Sequence, residues 1–223
     1  MKKQLKSVAI FLSVLMLVGS LFGCASNTNT AGGGKADKVT VGIIQFTAHV
    51  ALDSAREGFI AALKDNNFVE GQNLEIDFQN AQADQSNLST ISDRFVSNKV
   101  DLVLAIATPA AQAIAGKTKD IPILGTAITD YEGAKLVDSN EKPGGNVTGT
   151  SDMNPIKEQI DLLVKLVPDA KTVGVLYTSN EDNSIIQAKM AKEAIENLGL
   201  NYVEVTVTNS NDVQQAAQTI VEK

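Results

Sequence analysis

Six consecutive apolar residues, Leu102 to Ala107 (LVLAIA), leave few folds open to this chain. A run that short and without polar alternation suits a strand buried on both faces, and such strands belong to parallel sheets covered by helices on either side. The segments around it alternate between two periods. Val39 to Phe46 (VTVGIIQF) is a short β-rich run, and Val50 to Phe68 then carries Leu52, Ala55, Phe59, Ala62 and Leu63 at helical spacing. Gly71 turns the chain into Asn73 to Ala81, where Leu74, Ile76 and Phe78 alternate with polar neighbours, and Leu88, Ile91, Phe95 and Val96 mark a second helix. Thr108-Pro109 opens the next helix, with proline suited to a first helical position. Ile121 to Ile128 reads as a fourth strand interrupted by Pro122 and Gly125, and Asn146 to Thr150 is a candidate fifth.

A second series follows a tract rich in Gly, Asp and Lys, Asp130 to Gly145. Asn154-Pro155 begins a helix through Leu166, Thr172 to Thr178 is a strand, Asn183 to Leu198 a helix ending at Gly199, Tyr202 to Val207 a strand, and Asn211 to Val221 a last helix. Strands alternating with crossover helices predict the α/β class with right-handed parallel connections. The expected architecture is two-lobed, each lobe a doubly wound parallel sheet, over residues 38–150 and 151–223. The second lobe is expected to be incomplete, because two clear strands cannot make a stable sheet on their own.

The amino terminus carries a different signal. Lys2, Lys3 and Lys6 precede an apolar run from Val8 to Phe22, broken only by Ser13, Gly19 and Ser20 and ending at Leu21-Phe22-Gly23-Cys24. The run falls short of the ~20 apolar residues a membrane span needs, so residues 1–23 read as a secretory signal peptide. A small residue before a cysteine at that point resembles the lipobox of bacterial lipoproteins, which makes Cys24 the expected lipidation site. Residues 24–37, with their Ser, Asn, Thr and Gly, bury too little apolar surface to order themselves and read as a flexible tether. The expected location is therefore extracytoplasmic, anchored to the cell membrane by lipid. With Cys24 the sole cysteine, no intrachain disulfide forms and the fold rests on packing.

Charge and motif content exclude several functions. Removing Lys2, Lys3 and Lys6 from the 19 basic residues leaves 16 against 26 acidic ones, a formal balance of −10 over residues 24–223. Such a surface repels nucleic acid, so no nucleic-acid partner is expected. The phosphate-binding patterns G-x-G-x-x-G and G-x-x-x-x-G-K-[ST] are absent, and the glycines at 32–34 lie in the tether, not after a strand. His49 is the sole histidine, so with no second imidazole and an acylated cysteine no metal site is expected. No cofactor is implied, and no nucleophile with a base points to an enzyme.

In doubly wound sheets ligands sit beyond the carboxyl ends of the strands, where helix N-termini offer free N–H groups and a positive partial charge. The candidate segments are Thr47 to His49, Thr108-Pro109-Ala110, Thr126 to Asp130, Ser151-Asp152, and Ser179 to Ser184 with Asn180, Asn183 and Ser184. Hydroxyls beside a helix start suit a ligand carboxylate. Thr108 and Ser151 equally suit simple capping, which residue preference alone favours. His49 is balanced between a hydrogen-bonded structural role and cleft contact. Asp130 and Asp152 are candidates to receive a ligand amino group, against readings as solvated loop carboxylates or, for Asp152, a partner of the following helix dipole. Phe46, Tyr131 and Tyr177 are candidates for contact with an apolar ligand group, although aromatics near strand ends are more often core.

Four stretches carry a specific resemblance: Gln45 to Phe59 (QFTAHVALDSAREGF), Leu104 to Ala113 (LAIATPAAQA), Gly144 to Leu163 (GGNVTGTSDMNPIKEQIDLL) and Val173 to Ser184 (VGVLYTSNEDNS). Together they are similar to the extracytoplasmic substrate-binding lipoproteins of ABC importers, within them to the subfamily associated with tryptophan, tyrosine and similar solutes. The similarity runs from Lys38 to Lys223. Val50 departs from the proline that relatives often carry after the histidine. The resemblance implies a periplasmic-binding-protein fold, capture of a small solute such as an aromatic amino acid between the lobes, ABC permease subunits as partners, and ligand contact for Thr108 and Ser151. It also implies a second lobe continuing past Lys223, so that the chain is expected to be C-terminally truncated. A ligand-sensing receptor with the same fold is the alternative function.

Overall fold

A computed structural model of the protein describes residues 38–223. The expected signal peptide, the tether and Cys24 lie outside the described residues. In the first lobe five strands form one sheet: β1 (Val39–Gln45), β2 (Leu74–Asn80), β3 (Leu102–Ile106), β4 (Ile123–Ile128) and β5 (Val147–Ser151). All pairings are parallel and the spatial order is β2-β1-β3-β4-β5. Ile43 of the central β1 faces Phe78 of β2 on one side and Leu104 of β3 on the other.

Because side chains alternate along a strand, β1 serves two cores. Val41 and Ile43 point to the face covered by α1 (Val50–Asp65), where they meet Leu74, Leu104 and Ile106 with Leu52, Phe59 and Leu63 of the helix. Ile44 points to the opposite face, beneath α2 (Gln85–Asn98) and α3 (Thr108–Ala115), in a cluster with Leu88, Phe95, Val103, Ala111 and Ile114. Gly42 shares that second face because the buried Phe95 ring leaves no space there: a Cβ at 42 would lie 2.7 Å from Phe95 Cδ2. Helices on both faces of a parallel sheet make the lobe doubly wound.

The second lobe pairs β6 (Thr172–Thr178) with β7 (Asn201–Val207), again in parallel. Helices α4 (Ile156–Leu166) and α5 (Asp182–Asn197) cover one face around Ile160, Val173, Ala191 and Ile195. Helix α6 (Val213–Val221) covers the other, with Ile220 seated against Gly174. Two strands persist here because helices shield both faces, which a bare pair lacks.

The departures from expectation are local. Helix α4 starts at Ile156 rather than Asn154, because Ile156 N donates to Asn154 O in a turn around Pro155. The fourth strand starts at Ile123 rather than Ile121: Pro122 has no N–H to give, and only its carbonyl joins the ladder, accepting from Val103 N at 3.0 Å. Further along, its pairing with β5 shifts register between Gly125 and Ile128, with Ala127 left-handed at φ 56°. The last helix is preceded by a 3₁₀ turn, Ser210–Asp212, where an α-helix from Asn211 is expected. Among the described residues no helix is long and apolar enough to cross a membrane.

Candidate functional site

The order β2-β1-β3-β4-β5 reverses direction between β1 and β3, since the chain leaves β1 toward one edge and β3 toward the other. A crevice opens at such a switch point, beyond the strands' carboxyl ends. A cleft of about 520 Å³ lies between the lobes, beyond the carboxyl ends of β1 and β2. Phe46 and Thr47 after β1, and Gln82 and Gln85 around the start of α2, form its first-lobe wall. The opposite wall is made by Thr178 at the end of β6, Asn180 and Glu181 after it, and the Thr208 to Ser210 turn after β7.

The first-lobe wall is held from beneath. Gln45, fully buried at the end of β1, donates from Nε2 to Thr47 O at 2.8 Å and to Asp53 Oδ1 at 2.9 Å, while its Oε1 accepts from Arg56 Nη1 at 3.1 Å. Arg56 also bonds Asp53 Oδ1 at 3.1 Å and lies 4.4 Å from the centre of the Phe78 ring. Every polar end of this buried amide is satisfied, so the turn that carries Thr47 is fixed relative to α1. Ala83 N donates to Phe46 O at 2.8 Å and joins the two segments of the wall.

The starts of α3 and α5 meet across the lobes. Gln112, one turn into α3, donates from Nε2 to Asp182 Oδ2 of α5 at 2.8 Å and to Ala134 O at 3.1 Å. Thr108 lies four residues earlier, hence on the same helical face. It is 2% exposed, and its Oγ1 has no hydrogen-bond partner among the described residues. Asn183, next to Asp182, has a buried Oδ1 in the same condition. Two orphaned oxygens thus stand at two facing helix starts, although a buried polar atom without a partner costs about 1–3 kcal/mol. Ala107, directly before Thr108, adopts φ 85° and ψ 151°, in a region most residues avoid.

The capping alternative is not what the structure shows for Thr108 or Ser151. Helix α3 has no side-chain cap bond. Ser151 closes strand β5, four residues short of α4, and its hydroxyl donates to Thr129 O at 2.8 Å and accepts from Met153 N at 3.1 Å. His49 does cap α1: its Nδ1 accepts from Ala51 N at 3.2 Å, and the exposed ring is not part of the cleft lining. Asp130 Oδ1 is occupied by the N–H groups of Glu132 at 3.1 Å and Gly133 at 3.0 Å, and Asp152 is exposed. Pro109 and Ala110 are buried in α3, and the Thr126 hydroxyl accepts from Thr150 Oγ1 at 3.3 Å. Ser184 sits in the first turn of α5, its N–H bonded to Glu181 O at 3.1 Å. The structure therefore brings Thr47 and Asn180 together in the lining, while Thr108 and Asn183 are not part of it.

Of the aromatic candidates, Phe46 lines the cleft. Tyr131 is packed over Gly125 and Gly149 and donates to Thr150 O at 3.2 Å; burial, reinforced by Asp152, pushes its phenol up to about 12. Tyr177 donates to Glu204 Oε2 at 3.3 Å, outside the lining. Sequence reasoning passed over Gln82 and Gln85, and it included Glu181 only within the Ser179 to Ser184 segment without singling it out. Glu181 is the one with a readable signal, an acidic residue between a strand's carboxyl end and a helix start. It is half-buried, and loss of water pushes its carboxyl upward, partly offset by Asn183.

Residues 40–223 match the family of ABC transporter substrate binding proteins. The chain belongs to that family. A tyrosine-binding protein of Clostridioides difficile (strain R20291) is 42% identical over 230 residues, a match taking in 100% of this chain and 66% of that protein. An ABC domain solved in complex with L-Trp, from Streptococcus pneumonia, is 41% identical with a TM-score of 0.79, covering 84% of this chain and 63% of the other. The ligand-free, open structure of a Clostridium difficile substrate binding protein with adhesive properties is 46% identical with a TM-score of 0.59, over 82% and 62%. The chain thus spans just under two thirds of the length of these relatives.

Proposed function

We propose that the protein is the extracytoplasmic solute-binding component of an ABC importer and that its cleft captures an aromatic amino acid or a similar small zwitterion. The observation that carries this reading is the pair of unpartnered buried oxygens, Thr108 Oγ1 and Asn183 Oδ1, at helix starts that meet across the lobes. A carboxylate fits beside the Thr108 hydroxyl at the start of α3, where the helix dipole favours negative charge. Phe46 offers an apolar wall, and about 520 Å³ lies within the range of small-molecule sites. The names of the relatives, one tyrosine-binding and one solved with L-Trp, agree with this solute class. Catalysis is not part of the reading. ABC permease subunits are the partners this function requires, and a lipid on Cys24 would keep the protein beside them.

Calorimetric titration of the full-length protein with L-tyrosine and L-tryptophan tests the reading, with binding of at least one expected. Thr108→Val should weaken that binding about ten- to a hundred-fold, for one hydrogen bond to a charged group worth ~1.5–3 kcal/mol. Its melting temperature should stay level or rise, since an unsatisfied hydroxyl is removed. No binding of either amino acid, or unchanged affinity in the variant, overturns the assignment. For the anchor, Cys24→Ala should move the protein from the membrane to the soluble fraction; persistence at the membrane rules it out.

A further inference from the structure

We propose that Glu181 is the residue that selects for an amino group on the solute, its carboxylate receiving an ammonium so that acids of the same shape lacking nitrogen are rejected. The inference rests on the reading of the cleft as a solute site and adds to it the group the site requires. Glu181 is the sole charged residue in the lining, whose other members are polar or apolar. It stands between β6 and α5, half-buried, and burial raises its carboxyl above the ordinary range. No ion pair reaches it among the described residues.

A half-buried carboxylate helped only by the Asn183 side chain is a liability unless a charge compensates it. Capping does not: Glu181 occupies the N-cap position of α5, yet its side chain makes no cap hydrogen bond. The other acids once open to this role are unsuited, since Asp130 is held by two loop N–H groups and Asp152 is not in the lining. A cation arriving with the solute would complete the site, and a primary ammonium supplies both the charge and hydrogen-bond donors for a carboxylate. With a helix start on each side for the acid group, the cleft then reads the two ends of a zwitterion by opposite charges.

The test is calorimetry on the full-length protein and its Glu181→Gln variant with L-tyrosine, 3-(4-hydroxyphenyl)propionate, which lacks the amino group, and tyramine, which lacks the carboxylate. The wild type should prefer L-tyrosine over the desamino acid. Glu181→Gln should lower affinity for L-tyrosine and tyramine by about ten-fold or more while shifting the desamino acid by less than about twofold, given what a hydrogen bond to a charged group contributes. The melting temperature of the unliganded variant at neutral pH should match or exceed that of the wild type. An equal loss for L-tyrosine and the desamino acid, a drop in melting temperature, or a wild type indifferent to the amino group overturns the proposal while leaving the cleft assignment standing. A wild type that binds none of the three removes the assignment and the proposal together.

Discussion

Gln112 and Asp182, 70 positions apart, are joined by a 2.8 Å hydrogen bond that ties α3 of the first lobe to α5 of the second. The bond is exposed, so its carboxylate is screened and its contribution lies near the low end for a charged pair. It nevertheless bridges the two helix starts that carry the orphaned oxygens. Gln112→Ala should let the unliganded lobes separate more often, raising the radius of gyration in X-ray scattering without ligand. Solute affinity should fall about fivefold, for a bond worth ~1 kcal/mol. An unchanged scattering curve would show that the bond does not hold the lobes.

The buried amide of Gln45 is a different kind of tie. Gln45→Leu keeps the volume but leaves Arg56, Asp53 and the Thr47 carbonyl each short of a partner. The expected cost is about 2–3 kcal/mol, from stranded polar groups rather than lost packing. Urea unfolding should register it as a lower midpoint with an unchanged slope.

Tyr131 lies over two glycines where the first lobe ends. A Cβ on Gly149 would collide with the Gly125 carbonyl and the Tyr131 hydroxyl. Gly149→Ala should therefore destabilise strongly, by more than ~3 kcal/mol, since backbone cannot yield as a flexible side chain does. Tyr131→Phe removes only the bond to Thr150 O and should cost about 1 kcal/mol. Similar melting temperatures for the two variants would contradict the close approach.

Glu181 predicts a pH dependence with a definite sign. Its folded carboxyl is raised, so its contribution to stability is fully present below the ordinary value of 4.5 and is lost as pH rises through the folded value. At pH 7 the unliganded wild type should melt at or below Glu181→Gln. Below about pH 4.5 the two curves should converge, because both side chains are then neutral. A gap that widens on acidification would reverse the assigned cause.

The strand runs were legible because burial on both faces of a parallel sheet leaves an unbroken apolar signature, as in Leu102 to Ala107. The place of Thr47 in the cleft lining was legible by position, since strand ends are where the chain can face a cleft. Ser151 misled because β5 extends through it, and its hydroxyl is spent on Thr129 and Met153 before α4 begins. Gln112 gave no sign, because its partner is set by how two separate sheets face each other. Glu181 looked like any loop acid until the rest of the cleft lining proved to be uncharged.

Ala107 sits at φ 85° and ψ 151°, a backbone state close to glycine's own territory, and it delivers Thr108 to its place. Such a state costs about 1–3 kcal/mol and persists only where surrounding structure dictates it. The start of α3 is accordingly set before any solute arrives, and little of the binding energy goes into shaping that corner. Solutes that share a carboxylate should then be captured at similar speeds and differ in how long they stay, so that discrimination among them is written in dissociation rates.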